Sequence, residues 1–348
     1  MTAVRWSRAG LALAGALAWA GLAGAASAAD VTLRLHQMLS PEAQIPAHFL
    51  VPWIDKVERE SGGRIKIEHY PSMQLGGKPP QLYDQAKDGV VDIVWTVAGY
   101  TPGRFPESEV FELPFMPASG EATSRALWEF YERHLTGEFA DVHVLGMHVH
   151  GPGLLHVKGA GIHRLEDMAG KKLRGPSRMI IKLLDSLGAT PVGMPVPALP
   201  EALSRGVIDG TVIPWEITAP LHIAELVNTH TEFSGTRGLY TAVFVFAMNK
   251  DSYGRLPPDL KKVIDDNSGL ETSAWAGRVM DEGDPPAKEI AVARGNDIVV
   301  LDQAETARWK AAAQPVIDGW IAEMNDRGLD GAALYAEAQA LVAKYAGN

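Results

Sequence analysis

Residues 171–217 decide the fold of this chain, and they read KKLRGPSRMIIKLLDSLGATPVGMPVPALPEALSRGVIDGTVIPWEI. Lys171 to Arg174 is a short strand pattern that Gly175 and Pro176 end. A helix is predicted from Pro176 to Leu187, and the apolar run from Val207 to Ile213 predicts a buried strand. A strand, a helix and a second buried strand in this order indicate a parallel sheet covered by helices on both faces.

The N-terminal third repeats this alternation. Alternating apolar residues at 31–35 predict a strand, and Phe49, Trp53 and Val57 recur at helical spacing before Gly62-Gly63. A second strand is predicted at 65–70, and further patterns predict a helix at 80–87 and a strand at 90–96. The chain is therefore predicted to have an α/β fold.

A short sequence echo connects the two regions. Gly89-Val90-Val91-Asp92 and Gly206-Val207-Ile208-Asp209 each follow a predicted helix and lead into a predicted strand. The echo indicates either two similar lobes, each with its own sheet, or a common way of leaving a helix through glycine.

The last third of the chain differs, because it is mostly helical. Leu256-Pro257-Pro258-Asp259-Leu260 opens a helix, with proline in the first turn and an acid at the positive end of the helix dipole. Further helices are predicted at 304–324 and 332–345. Such a helical tail is expected to brace the lobes.

Residues 1–28 have the pattern of a secretory signal peptide. Arg5 and Arg8 precede an apolar run at 11–24, and Ala26-Ser27-Ala28 is a small-residue cleavage site. The alternative, a membrane anchor, is disfavoured because the run is shorter than the roughly 20 residues that span a bilayer. The chain contains no cysteine, which excludes a lipid-modified N-terminus and disulfides. The mature chain is expected in the periplasm.

The charge of the chain is acidic. The formal net charge is −10, and it becomes −12 when Arg5 and Arg8 are removed with the signal peptide. This balance argues against nucleic acid or an anionic membrane as a partner. An anionic ligand therefore needs a local positive group.

Motifs of catalysis and cofactor binding are missing from the sequence. It contains no G-x-S-x-G motif, no P-loop and no thiol, and Gly159-Ala160-Gly161 is not a dinucleotide fingerprint because Arg164 replaces its third glycine. His148 and His150 share one face of a predicted strand, but no third ligand has useful spacing, so a metal site is disfavoured. We predict no catalytic residue, no cofactor and no metal.

Arg174 is the candidate ligand anchor. It ends a predicted strand, and open α/β sheets bind ligands at the carboxyl ends of their strands. A guanidinium holds a carboxylate through two parallel hydrogen bonds, and the following helix N-terminus adds N–H donors. The alternative is a surface arginine paired with a nearby acid.

At these residues the chain resembles the DctP-type TRAP transporter solute-binding proteins. The resemblance covers nearly the whole mature chain, and its strength lies in the order and spacing of motifs that are individually modest. The motifs are YPSMQLG (70–76), ELPF (112–115), EDMAG (166–170), LR (173–174), LGATP (187–191), Glu201, Leu203, GVIDG (206–210), MNK (248–250) and LP (256–257).

The resemblance implies a two-lobed, periplasmic-binding-protein-like fold, with each lobe a mixed, mostly parallel sheet flanked by helices. Crossing strands and a long bracing helix join the lobes. The expected first lobe is 29–152 plus about 241–280. The second is 153–240 plus about 281–348, including the helical tail.

The resemblance also implies a function, namely capture of a small organic acid between the lobes and its delivery to the small and large TRAP membrane subunits. Arg174 occupies the position of the family's carboxylate-binding arginine. The other expected pocket residues are His36, Gln37, Trp95, Thr96, Tyr100, Ile213, Trp215 and, for a second carboxylate, Arg178.

One segment departs from the family pattern. Many members have Gln-Glu-Asn-Pro where this chain has Thr211-Val212-Ile213-Pro214. Ile213 replaces a polar ligand contact, which predicts a more apolar pocket suited to an aromatic or short aliphatic acid. Two alternative functions share some of these features: a sensory receptor for a histidine kinase and, less favoured, a periplasmic enzyme.

Overall fold

Two mixed β-sheets form the frame of the molecule, as seen in a computed structural model. The described residues are 29–347 and Thr2, so apart from Thr2 the predicted signal peptide lies outside them. The first sheet has the strand order β2-β1-β3-β10-β4. Its strands are β1 (Val31–Gln37), β2 (Ile65–Tyr70), β3 (Ile93–Val97), β4 (Val142–Val149) and β10 (Val243–Asn249).

The second sheet has the order β11-β9-β5-β8-β6-β7. Its strands are β5 (Leu154–Val157), β6 (Lys172–Gly175), β7 (Thr190–Gly193), β8 (Gly210–Ile213), β9 (Thr229–Phe233) and β11 (Asp297–Leu301). β10 runs antiparallel to β3 and β4 in the first sheet, and β5 runs antiparallel to β8 and β9 in the second. The chain enters β5 from the first sheet and β10 from the second.

Helices cover both sheets, which explains why all five residues of β3 are buried. The helices are α1 (Val51–Glu60), α2 (Leu82–Lys87), α3 (Gly120–Phe130), α4 (Arg178–Ser186), α5 (Leu199–Ser204), α6 (Ile223–Leu226), α7 (Lys250–Gly254), α8 (Pro258–Asp266), α9 (Leu270–Ala293), α10 (Gln303–Asp326) and α11 (Gly331–Ala346). No helix in the range 29–347 is both long and apolar enough to cross a bilayer.

Three segments connect the sheets. The chain leaves the first sheet through residues 150–153 and returns through 234–242, and the 24-residue α9 then leads to β11 of the second sheet. This is the expected two-lobed α/β architecture with crossing segments and a long helix.

The sequence echo occupies equivalent places in the two sheets. The Asp92 carboxylate accepts the backbone N–H of Arg34 in β1, and the Asp209 carboxylate accepts the N–H of Lys172 in β6, both at 2.8 Å. Gly89 and Gly206 both have positive φ (71° and 67°), a backbone conformation that glycine adopts without strain. Each motif ends a helix, and its aspartate connects the next strand to the neighbouring parallel strand by a hydrogen bond.

The C-terminal helices pack against both lobes. Asp302 and Asp330 cap α10 and α11 with their side chains, a contact typically worth about 1 kcal/mol. α10 contacts α4 of the second lobe, whereas α11 packs against α3 beside the first sheet. The Glu129 carboxylate on α3 fixes α11 by accepting hydrogen bonds from Lys344 and Tyr345. The tail therefore contacts both lobes, through α10 on the second and α11 on the first.

Candidate functional site

A cavity lies between the two sheets, at the ends of their strands. It holds about 420 Å³ of empty space, a volume that includes open solvent. One wall comes from the first lobe and is apolar, with Met38, Leu39, Trp95 and Val97. The opposite wall comes from the second lobe and includes Arg174, Val196, Ile213 and Glu216. The crossing segments close the sides with His150, Tyr240, Ala242 and Met280, and Phe244 of β10 adds to the first-lobe wall.

Arg174 is buried, with 2% of its surface exposed. Its Nε donates to the Met194 carbonyl at 2.8 Å, and its Nη1 lies 3.4 Å from the Val212 carbonyl. Its Nη2 is buried and has no hydrogen-bond partner among the described residues. Within residues 29–347 no carboxylate forms an ion pair with this guanidinium. A buried charge without a counter-ion is costly, so the geometry favours an anion in the cavity.

Two tyrosines complete the surroundings of Arg174. The Tyr240 hydroxyl donates to the Val212 carbonyl at 2.8 Å, and the Tyr100 hydroxyl accepts the Val196 N–H at 2.9 Å. Burial raises the pKa of both phenols, and Arg174 opposes this rise in each case. Both tyrosines therefore stay neutral, and Tyr100 keeps its own proton available for a ligand.

The apolar wall is a stack of flat rings. Trp95 and Phe244 stack with ring centroids 4.9 Å apart and planes 14° apart, and His148 stacks on Phe244 at 4.9 Å. The Trp95 indole N–H is already satisfied, because it donates to His148 Nε2 at 2.8 Å. Burial lowers the pKa of His148 to about 3, so this ring stays neutral. The wall suits a planar apolar group.

His150 faces the cavity, but both of its ring nitrogens are engaged. Nδ1 lies 2.6 Å from the Gly151 carbonyl, and Nε2 accepts the Ala242 N–H at 3.1 Å. Burial lowers the pKa of His150 to about 4. Among the described residues no group of three or more histidines, cysteines or acids has the geometry of a metal site.

Four of the nine residues expected in the pocket line the cavity: Trp95, Tyr100, Arg174 and Ile213. Thr96 does not, because side chains alternate along β3 and Thr96 points away from the side shared by Trp95 and Val97.

His36 and Gln37 also lie outside the lining. His36 Nδ1 lies 2.7 Å from the Gln85 side chain, and Nε2 accepts the Leu75 N–H at 3.3 Å. The Gln37 amide donates to the Leu39 carbonyl at 2.9 Å and so positions a residue that does line the cavity.

Trp215 and Arg178 have structural partners elsewhere. Trp215 packs edge-on against His156, and its indole N–H donates to Glu232 at 2.8 Å. Arg178 forms ion pairs with Glu109 and Glu323, so its charge is compensated without a ligand.

The structure adds lining residues that the sequence reasoning missed. Glu216 lies within residues 171–217, and a charged residue three positions after the end of the predicted strand at Ile213 was the signal that could have indicated it. Tyr240 comes from the return crossing and Phe244 from the start of β10, both far away in sequence, and no local pattern marks them.

Polar contacts bridge the lobes around the cavity. The Ser177 hydroxyl donates to the Glu112 carboxylate, which also accepts the Val243 N–H at 3.0 Å. Tyr100 and Val196 form a second bridge, and Arg178 and Glu109 a third. The structure is therefore that of a closed cleft.

Comparisons with known proteins agree with this geometry. The model of the DctP family, described as bacterial extracellular solute-binding protein family 7, matches residues 37–323. A TRAP solute-binding protein from Rhodoferax ferrireducens T118, crystallised with copurified benzoate, is 51% identical with a TM-score of 0.90, and the match covers 91% of this chain and 99% of that one.

Two further solved structures are similar. A marine metagenome TRAP solute-binding protein specific for aromatic acid ligands, in complex with 3-hydroxybenzoate, is 52% identical with a TM-score of 0.89, and the match covers 91% of this chain and 99% of that one. A protein from Bordetella bronchiseptica with bound mandelate is 28% identical with a TM-score of 0.84, and the match covers 90% and 99% of the two chains.

Proposed function

From the premise that this chain belongs to family 7 of the bacterial extracellular solute-binding proteins and is a TRAP-type solute receptor, not an enzyme, we propose that its ligand is an aromatic carboxylic acid. The observation that carries this proposal is the buried Arg174 guanidinium, whose Nη2 has no partner and which lines the same cavity as Trp95 and Phe244. A carboxylate supplies the missing partner of Arg174, and the ring plane fits against the stacked wall.

The relatives support this ligand class. Two proteins of about half-identical sequence hold benzoate and 3-hydroxybenzoate, and a more distant one holds mandelate. In this chain Ile213 stands at the position where many family members carry a polar residue, and it is 2% exposed. The apolar lining disfavours a polyhydroxy acid, because its hydroxyl groups would lose hydrogen bonds to water.

Lobe closure links binding to delivery. A ligand held by Arg174 on one lobe and by Trp95 on the other favours the closed form, because it contacts both walls only there. Exclusion of water also strengthens the arginine–carboxylate pair. The closed receptor then presents a composite surface to the TRAP membrane subunits, after secretion to the periplasm by the signal peptide at 1–28.

The lobe boundaries belong to the same proposal. We divide the chain into 29–152 plus about 241–280 and 153–240 plus about 281–348. This division is supported by the first sheet, drawn from 31–149 and 243–249, and the second, drawn from 154–233 and 297–301.

The direct test is calorimetric titration of benzoate into protein that has been unfolded and refolded to remove any copurified ligand. We expect binding by the wild type and a loss of at least about 30-fold in Arg174→Met, since breaking one side of a buried charge pair costs about 2–5 kcal/mol. Arg174→Lys should bind between these two, because lysine keeps the charge without the planar fork.

The matched control is Arg205→Met, which removes an exposed arginine of the second lobe and changes the net charge equally. It should bind benzoate like the wild type. The proposal fails if refolded wild type binds no aromatic acid, or if Arg174→Met binds benzoate as tightly as the control.

A further inference from the structure

Glu216 is a buried acid in the wall of the same cavity. It begins a short helical turn (Glu216–Thr218) three residues after the end of β8, and only 6% of its surface is exposed. It lines the cavity together with Arg174, but the two side chains form no ion pair. The cavity therefore has two separate polar groups in its second-lobe wall.

The Glu216 carboxyl group has no internal partner. In the part of the chain from 29 to 347 it makes no hydrogen bond and no ion pair, and only its backbone N–H is held, by the Asp284 carboxylate at 2.8 Å. Other buried acids nearby are satisfied: Glu112 accepts from Ser177 and Val243, and Glu109 pairs with Arg178. A buried, unpaired carboxyl group is costly, which points to a partner supplied from outside the chain.

Close packing holds Glu216 in place. A Cβ atom at position 283 of α9 would lie 2.8 Å from the Glu216 Cβ and 2.9 Å from the Gln44 side chain. Gly283 therefore permits α9 to approach the strand end that carries Glu216. The next residue, Asp284, accepts the Glu216 N–H, so helix and turn fix this backbone together.

Most other polar groups of the cavity are already used within the protein. The Trp95 N–H, both nitrogens of His150 and the Tyr240 proton all have protein partners. The groups left for a ligand are Arg174 Nη2, the Tyr100 proton and the Glu216 carboxyl. The first two donate hydrogen bonds and suit a carboxylate, whereas Glu216 supplies the acceptor.

The protonation state of Glu216 agrees with such a role. Burial, and then the neighbouring Asp284, raise the pKa of Glu216 well above its ordinary value. A neutral carboxyl group accepts through one oxygen and donates through the other, and it does not repel a ligand carboxylate bound nearby.

We propose that Glu216 is a specificity-determining residue that hydrogen-bonds a hydroxyl group on the ligand, so that the receptor prefers a hydroxylated aromatic acid to the unsubstituted acid. This inference rests on the proposed function, because Arg174 must hold the carboxylate for Glu216 to meet a substituent elsewhere on the ring.

The test compares benzoate with 3- and 4-hydroxybenzoate by calorimetric titration of the refolded mature chain. The wild type should bind at least one hydroxylated isomer about 5-fold more tightly than benzoate, the typical effect of one net hydrogen bond. In Glu216→Leu this advantage should vanish, so that benzoate and both hydroxylated isomers bind with similar affinities. Glu216→Gln should retain it, because the amide keeps an acceptor oxygen.

Two measurements separate the outcomes. The melting temperature of Glu216→Leu should not fall, since an unpaired buried acid is replaced by an apolar side chain, and Glu225→Leu serves as an exposed control that should keep the wild-type preference. The inference is overturned if Glu216→Leu still prefers hydroxybenzoate to benzoate, or if the wild type prefers neither isomer. In both cases the proposed binding of aromatic acids by Arg174 still stands. A wild type that binds none of the acids overturns the proposed function as well.

Discussion

The two walls of the cavity differ in chemistry although the sheets that carry them are built alike. On the first lobe, Trp95 and Val97 with Phe244 offer stacked rings and aliphatic surface, and their polar atoms are engaged within the protein. On the second lobe, Arg174 has a buried Nη2 without a partner among the described residues, and the largely buried Glu216 lines the same cavity. Under the proposed function, the first wall recognises the shape of the ligand and the second wall its charge, and we expect full affinity only when the lobes close.

The likeness of the two sheets makes this contrast informative. Gly89–Asp92 and Gly206–Asp209 perform the same structural task, since each aspartate accepts the N–H of the neighbouring parallel strand. The difference between the lobes therefore lies in a few side chains near the strand ends. Architecture supplies the cleft, and the side chains at its rim decide the ligand.

The largest effect on the shape-recognising wall should come from Trp95→Leu. We expect benzoate affinity to fall about 10-fold, because an aromatic contact is worth about 0.5–1.5 kcal/mol beyond the buried area. Cyclohexanecarboxylate, a non-aromatic acid of similar size, should lose only about 3-fold, since it loses area but no ring contact. Titration of both acids into both proteins measures the difference.

Trp215→Leu is the matched control for this substitution. Trp215 packs against His156 outside the cavity, so its loss should leave the ratio of the two affinities unchanged. If Trp95→Leu lowered the affinities for both acids equally, or if Trp215→Leu changed the ratio of the two affinities, the proposed role of the first-lobe wall would be contradicted.

A smaller effect is expected at the contact between the lobes. Burial raises the pKa of Glu112 to about 7, from an ordinary value of 4.5. The folded state therefore binds more protons than the unfolded state between these values. This contribution to stability is present at low pH and is lost as the pH rises toward 7.

Glu112→Gln removes this titration and keeps an oxygen for the Val243 N–H. Between pH 5 and pH 8, the free energy of unfolding of the wild type should fall by about 1 kcal/mol more than that of the variant. Urea unfolding at the two pH values measures it. A difference between the proteins that does not change with pH would show that Glu112 is ionised throughout.

Much of the fold could be predicted from the sequence. Periodic apolar residues indicated β1, β2, α4 and the C-terminal helices, and the ordered motifs indicated the family, which the match over 37–323 confirms. The long α9 had no clear pattern, because Pro285 and Pro286 lie inside it and proline ordinarily ends a helix. The contact of α11 with α3 depends on tertiary packing and has no local signal.

The site was less predictable, for physical reasons. Arg174 was indicated by its strand-end position and Trp95 by the family resemblance, but neighbours on a strand face opposite sides, so Trp95 and Thr96 cannot both line the cavity. Arg178 finds its partner Glu323 in a distant helix, which no spacing predicts. Tyr240 enters the lining only because the chain crosses back between the lobes.

The central claim is that the unpaired Arg174 Nη2 is the carboxylate-binding atom, and a crystal structure of the refolded protein with benzoate tests it most directly. The account predicts a carboxylate oxygen about 2.7–2.9 Å from Arg174 Nη2, with the ring plane against Trp95 and Phe244. A benzoate whose carboxylate binds elsewhere, leaving Arg174 Nη2 unpaired, would contradict the account.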